Sequence, residues 1–214
     1  MSKFNNKIIE IEEALSFSNT FKAPDIDEKE KRLKEVIDER LAEVNKTKLP
    51  DGTWHVHGDL DFSELNISSL KILNISIVDG FFSCTYNDLK SLIGCPTKIG
   101  KNFYCNCNNL STLEGCPTEI NGGFYCNDNK LTTLEGCPRV IEGDFSCSHN
   151  SLTTLKGCPQ VVKGDFSCSN NLLSSLLNGP KIVDGDVYYS YNKKKKFNKE
   201  KIKALCKIKG RIYV

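Results

Sequence analysis

Eleven cysteines and three histidines are the side chains of this 214-residue chain best equipped to ligate a metal or act as nucleophiles. A structural zinc site gathers four ligands into one tetrahedral cluster, commonly from C-x-x-C knuckles. No such knuckle occurs. Cys105-Asn106-Cys107 is the tightest pair, and the regularly placed cysteines from Cys84 to Cys168 otherwise alternate at 10 and 11 residues. That spacing describes a line of thiols, in which each position suits a small apolar side chain. The expectation is therefore reduced, metal-free core cysteines, with Cys107 the first to react because its column faces outward. His55 and His57 share a strand face and could begin a metal site, but no third ligand stands at a recognisable spacing, so no metal site is assigned. His149 adjoins Asn150 in a turn without a nucleophile motif such as G-x-S-x-G, and no G-x-x-x-x-G-K-[ST] phosphate loop is present. No catalytic residue, cofactor or small-molecule substrate is expected.

The elements that place these residues are repeats. Phe82, Phe103, Phe124, Phe145 and Phe166 recur every 21 residues, each followed two positions later by Cys84, Cys105, Cys126, Cys147 or Cys168. Three residues on stand Asn87, Asn108, Asn129, Asn150, Asn171 and Asn192; two leucine columns follow, beginning at Leu89 and Leu92. Gly-Cys-Pro closes four copies, the fifth ending Asn178-Gly179-Pro180, and Val187 and Tyr189 replace Phe and Cys in a sixth. Alternation of Phe and Cys predicts one short strand per copy with both side chains inward. Asn suits the turn that follows, because its amide can donate to and accept from backbone groups that no sheet satisfies, and stacked turns would form an asparagine ladder. A single copy cannot bury its apolar face, whereas stacked copies make a continuous core.

The F-x-C-x-x-N-x-L segment resembles the L-x-L-x-x-N-x-L signature of leucine-rich repeats. L-T-T-L-E-G-C-P and G-D-F-S-C-S-x-N more closely resemble tandem repeats of a leucine-rich-repeat-like group common in bacteriophage genomes, over residues 51–192. The resemblance implies a curved solenoid, a viral origin and no known chemistry. The fold class expected is an α+β repeat: a leucine-rich-repeat-like, right-handed parallel β-solenoid (51–192) with a helical N-terminal cap (1–50) and a basic C-terminal cap (193–214). Within the caps, helical spacing predicts a helix over Asp25–Asn45, a shorter one within residues 1–21, and a third over Asn198–Lys207 with Ile202 and Leu205 inward. Trp54, Val56, Leu60 and Phe62 begin a degenerate first coil in which Phe62 aligns with Cys84 at 22 residues.

A formal charge of +2, with 39% hydrophobic and 26% charged residues, excludes a uniformly basic nucleic-acid coat and fits a globular chain. No apolar stretch reaches membrane-spanning length and the N-terminus carries no secretion signal, so no membrane partner and a cytoplasmic location are expected, that of the host if phage-encoded. Residues 193–214 hold ten basic side chains against one acid, Glu200. Nucleic-acid binding at that end is the alternative function. The favoured one is binding of a host or viral protein, which could inhibit a host process or defence. Columns facing the concave side carry Tyr, Ser and Asn, the composition of adaptable protein-binding surfaces. The residues assigned to binding are Tyr104, Tyr125, Asn106, Asn127, Asp128 and His149.

Overall fold

The computed structural model describes residues 26–192 and 197–214; the helix expected within 1–21 and the lysine run 193–196 lie outside them. Between residues 54 and 213 the described chain is a parallel β-solenoid of about seven turns. Eight two-residue strands, from Leu60–Asp61 through Phe82–Ser83 and Phe103–Tyr104 to Ile212–Tyr213, form one sheet. The expectation of a single strand per copy is corrected here, because the Ile/Val column before each Phe also pairs. Trp54–Val56, Ile75–Val78, Lys98–Ile99 and Glu119–Ile120 lie in a five-stranded sheet; Val140–Ile141, Val161–Val162, Ile182–Val183 and Lys207–Ile208 form a four-stranded one. A glycine-containing bend joins the two strands of each coil, and a two-residue strand is too short for its alternation to show in sequence.

Interior coils pair at the 21-residue repeat, as in Phe103 opposite Phe124. The 22-residue first step has a local cause: Trp54 pairs with Ile75 but His55 with Ile77, so Ser76 is the extra residue of a β-bulge. Phe, first-Cys and leucine columns are buried, with Phe82 to Phe166 and Cys84 to Cys168 fully enclosed. Successive Phe rings lie 5.2 to 5.9 Å apart between centroids. At both ends large and small exchange places. Leu60 and Phe62 stand where Phe and Cys would be in the first coil, as Val187 and Tyr189 do near the last, and Phe62 and Tyr189 each meet the Phe stack edge-on.

Each inward Asn ties two coils together through backbone. Asn108 Nδ2 donates to the carbonyls of Cys84 (2.9 Å) and Cys105 (3.2 Å), and its Oδ1 accepts from the Leu89 amide at 3.0 Å. Asn87, Asn129, Asn150, Asn171 and Asn192 donate in the same way to their own and the preceding coil. To aim that side chain inward, the preceding residue turns left-handed: Tyr86, Cys107, Asp128, His149, Asn170 and Tyr191 all have φ between 52° and 57°. The Gly of Gly-Cys-Pro is left-handed too, at Gly94, Gly115, Gly136 and Gly157, and Asn178 takes its place in the fifth copy with φ 65°.

The ends depart from the expected caps. Two compact units divide within helix α1 (Ile26–Glu43), between Glu35 and Val36. In the first, Arg32 pairs with Glu28 one turn away. In the second, Ile37 and Leu41 are buried, and Arg40 donates to the Asp61 carbonyl at the outer edge of the eight-stranded sheet. Lys46–Lys48, assigned to a helical cap, is instead a strand antiparallel to Trp54–Val56, with lysines on an edge where they discourage further pairing. Residues 207–213 form a further coil, not a cap: Lys207–Ile208 and Ile212–Tyr213 extend the two sheets. Helix α2 (Lys199–Leu205), capped by the Asn198 side chain, precedes it; Ile202 is buried as expected, but Leu205 is exposed and Cys206 buried in its stead. Among the described residues no helix is long and apolar enough to cross a membrane.

Two substitutions test this account. Asn108→Ala strands buried backbone groups of two coils and should lower stability by roughly 2 to 3 kcal/mol in a urea titration, while Asn106→Ala on the outer face should change it little. Cys107→Asn, which places a residue tolerant of φ > 0 in the left-handed column, should raise stability by up to about 1 kcal/mol in the same assay.

Candidate functional site

The outward residues of the eight-stranded sheet form a stripe: Ser83, Tyr104, Tyr125, Ser146, Ser167, Tyr188 and Tyr213. Backbone pairing fixes their separation at the strand spacing, and Tyr104 and Tyr125 stack with centroids 5.0 Å apart and planes within 12°. Phe81, which the period-two reading left out because it precedes the strand, meets Tyr104 edge-on at 6.2 Å. The ring of Tyr125 lies over Gly123, where a Cβ would stand 2.8 Å from its hydroxyl oxygen. Asn102 donates to the Tyr104 hydroxyl at 2.7 Å, and the Tyr125 hydroxyl donates to Asp144 Oδ2 at 3.1 Å. Burial, then the charge of Asp144, pushes the Tyr125 phenol up to about 12. Both rings are thus fixed in place and half-exposed.

The other residues assigned to binding also lie outward. Asn106 and Asn127 are half-buried in the column beside the tyrosines, and exposed Asp128 accepts from Asn127 at 2.7 Å. His149 is exposed in the left-handed column but pairs with Asn170, on the side away from Tyr125, at 3.1 Å. It is a rim residue of this face. A second aromatic pair stands at the far end of the sheet, Tyr188 on Tyr213 at 4.7 Å and 2°, beside Arg211. It escaped the sequence reading because the last coil is longer, Val187 pairing with Ile212, so Tyr213 falls off the 21-residue grid.

The acidic column before the strand holds coils together. Asp59, Asp144, Asp165 and Asp186 each accept a backbone amide of the next coil, from Phe81, Asp165, Asp186 and Arg211 respectively, at 2.6 to 3.0 Å. Elsewhere on the surface, ion pairs such as Lys156 with Glu135 and Lys98 with Glu119 span neighbouring coils; exposed pairs of this kind contribute about 1 kcal/mol or less each.

All eleven cysteines are free thiols, and burial pushes those of the first Cys column up. Cys107 is partly exposed, as are Cys116 and Cys137, whose thiols burial nevertheless raises. Among the described residues, three metal-ligating side chains converge only at His55, His57 and Asp79, on the other sheet.

Tyr125 supplies a test of this geometry: its ring should ionise near pH 12, and Asp144→Asn should bring it down, as followed by NMR of labelled tyrosine rings. An ionisation unmoved by Asp144→Asn would mean that the hydroxyl does not meet that carboxylate. Compared with known proteins, the chain matches no family model, no curated protein and no solved structure.

Proposed function

We propose that the chain is a non-enzymatic protein-interaction module of the leucine-rich-repeat-like kind found in bacteriophages. Its partner is a host or viral protein met in the host cytoplasm, and its binding surface is the outward face of the eight-stranded sheet. The observation that carries this reading is the stacked Tyr104–Tyr125 pair, continued by Phe81. Interface energy concentrates in a few large aromatic side chains surrounded by weaker polar contacts. Tyrosines already fixed by stacking and hydrogen bonds lose little side-chain freedom on binding, which favours affinity. Asn106, Asn127 and Asp128 supply the polar surround, while Ser146 and Ser167 offer little area beyond it.

A second reading has its own observation. Lys207, Lys209 and Arg211 share the last coil with Tyr213, whose ring stacks on Tyr188 of the coil before, which joins positive charge to an aromatic surface as single-stranded nucleic acid requires. The basic end alone gave only charge; the stacked rings make base stacking available.

Affinity capture with the full chain from infected and uninfected lysates, followed by titration of the recovered protein, distinguishes the two. The Tyr104→Ala, Tyr125→Ala variant should lose about 2 kcal/mol or more of affinity, roughly thirtyfold, without unfolding. Equal affinity in wild type and variant would place the site elsewhere. Nuclease-sensitive capture that weakens steeply with salt and is lost on substitution of Lys207, Lys209 and Arg211 would favour the second reading.

A further inference from the structure

His55 and His57 flank Val56, whose side chain is fully buried, so the alternation of the strand sends both imidazoles outward. Val56 pairs with Val78 across the two coils, and this register sets Asp79 directly beside them. The bulge at Ser76 is what brings this about: one residue fewer in that strand and Asp79 would shift by a position and change face. His55 Nε2 lies 2.7 Å from Asp79 Oδ1 and His57 Nδ1 lies 3.0 Å from Oδ2, so one carboxylate faces two rings with both of its oxygens. The ring centroids are 4.1 Å apart, and the three ligand atoms fall within 4.8 Å of one another. Hydrogen bonds from His55, then His57, hold the Asp79 carboxyl below the usual carboxylate range. Side-chain exposures of 23%, 31% and 50% leave the cluster open to water on one side.

The remaining nitrogen of His57 is also engaged. Its Nε2 lies 3.0 Å from the hydroxyl of Thr47, on the antiparallel strand at the sheet edge. Such a contact fixes the ring with Nδ1 toward Asp79, the role that outer partners play for metal-ligating histidines.

We propose that His55, His57 and Asp79 form a zinc site with three protein ligands and a fourth position open to solvent. Two imidazole nitrogens and one carboxylate oxygen suit zinc and its borderline neighbours, whereas magnesium and calcium call for oxygen ligands. Bonds of about 2.0 to 2.1 Å in tetrahedral geometry place ligand atoms roughly 3.3 Å apart, so three ligand atoms that already lie within 4.8 Å of one another would shift by up to about 1.5 Å as one carboxylate oxygen turns to the ion. Outward side chains can make that adjustment without moving the core. The ion would join the first coil to the second at the irregular end of the solenoid, independently of the tyrosine face.

Cobalt titration of the full chain, followed by displacement with zinc, tests the site against the eleven thiols as competing ligands. One equivalent of Co²⁺ should give visible absorption bands without thiolate-to-cobalt charge-transfer absorption in the near ultraviolet, and Zn²⁺ should displace it. The His55→Gln, His57→Gln variant, which leaves the core intact and should keep the far-ultraviolet circular dichroism of the metal-free chain, should lose that binding. Thr47→Val should weaken it about tenfold. Zinc should also raise the thermal midpoint of the wild type but not that of the double variant. No saturable uptake, a thiolate charge-transfer spectrum, or equal binding by wild type and double variant would overturn the proposal.

Discussion

A turn that leaves a sheet abandons backbone donors and acceptors, and in this solenoid one buried carboxamide per coil restores them. Backbone bonds between coils continue past the two-residue strands, as from the Cys107 amide to the Asn127 carbonyl and from the Asn109 amide to the Leu89 carbonyl, but they leave groups unpaired where the chain turns inward. The inward asparagine pairs these by reaching its own coil and the one before it. Its orientation fixes the left-handed residue before it, and that residue in turn fixes which side chains leave the outer surface next to the stacked tyrosines. Core, turn and candidate binding face thus follow from one backbone requirement repeated at a constant interval.

Much of this was legible because the repeat is nearly exact in its interior. Phe, Cys, Asn and Leu columns announced which side chains point inward, and the outward positions of Tyr104 and Tyr125 followed from the same phase. The second strand of each coil was not legible, since Ile or Val beside one outward residue is too short a signal for period two. Tyr213 and Asp79 were missed for a related reason. Both lie where the interval departs from 21 residues, Tyr213 after the 25-residue step from Val187 to Ile212 and Asp79 beside the bulge at Ser76. Spacing arguments lose their reach where spacing changes, and the two convergences that depend on such changes emerged only from three-dimensional pairing.

The division of labour between columns has a physical logic. Inner columns vary little in size because each side chain must fit above and below its copies, whereas outer columns are free to differ from coil to coil. Tyr104 and Tyr125 occupy the same column as Ser83, Ser146 and Ser167 without any change in the backbone beneath them. Even the acidic column combines both demands: Asp144 accepts the next coil's amide with one oxygen and the Tyr125 hydroxyl with the other. A single residue type thereby ties the scaffold to the surface it presents.

The exchange of large and small residues at the two ends bears on how such a chain changes length over generations. Interior coils carry the same inner residues, so a duplication or deletion of one whole 21-residue copy preserves the register of the buried Phe, Cys, Asn and Leu columns on either side of the junction. Leu60 with Phe62 and Val187 with Tyr189 lack that freedom, because an edge-on ring in the Cys column does not continue a stack of face-on rings in the Phe column. They act as punctuation. A coil inserted between them is read as more of the same, while the marks that begin and end the stack keep its number of turns from drifting during folding, since a slip by one copy would set a terminal pair against an interior one.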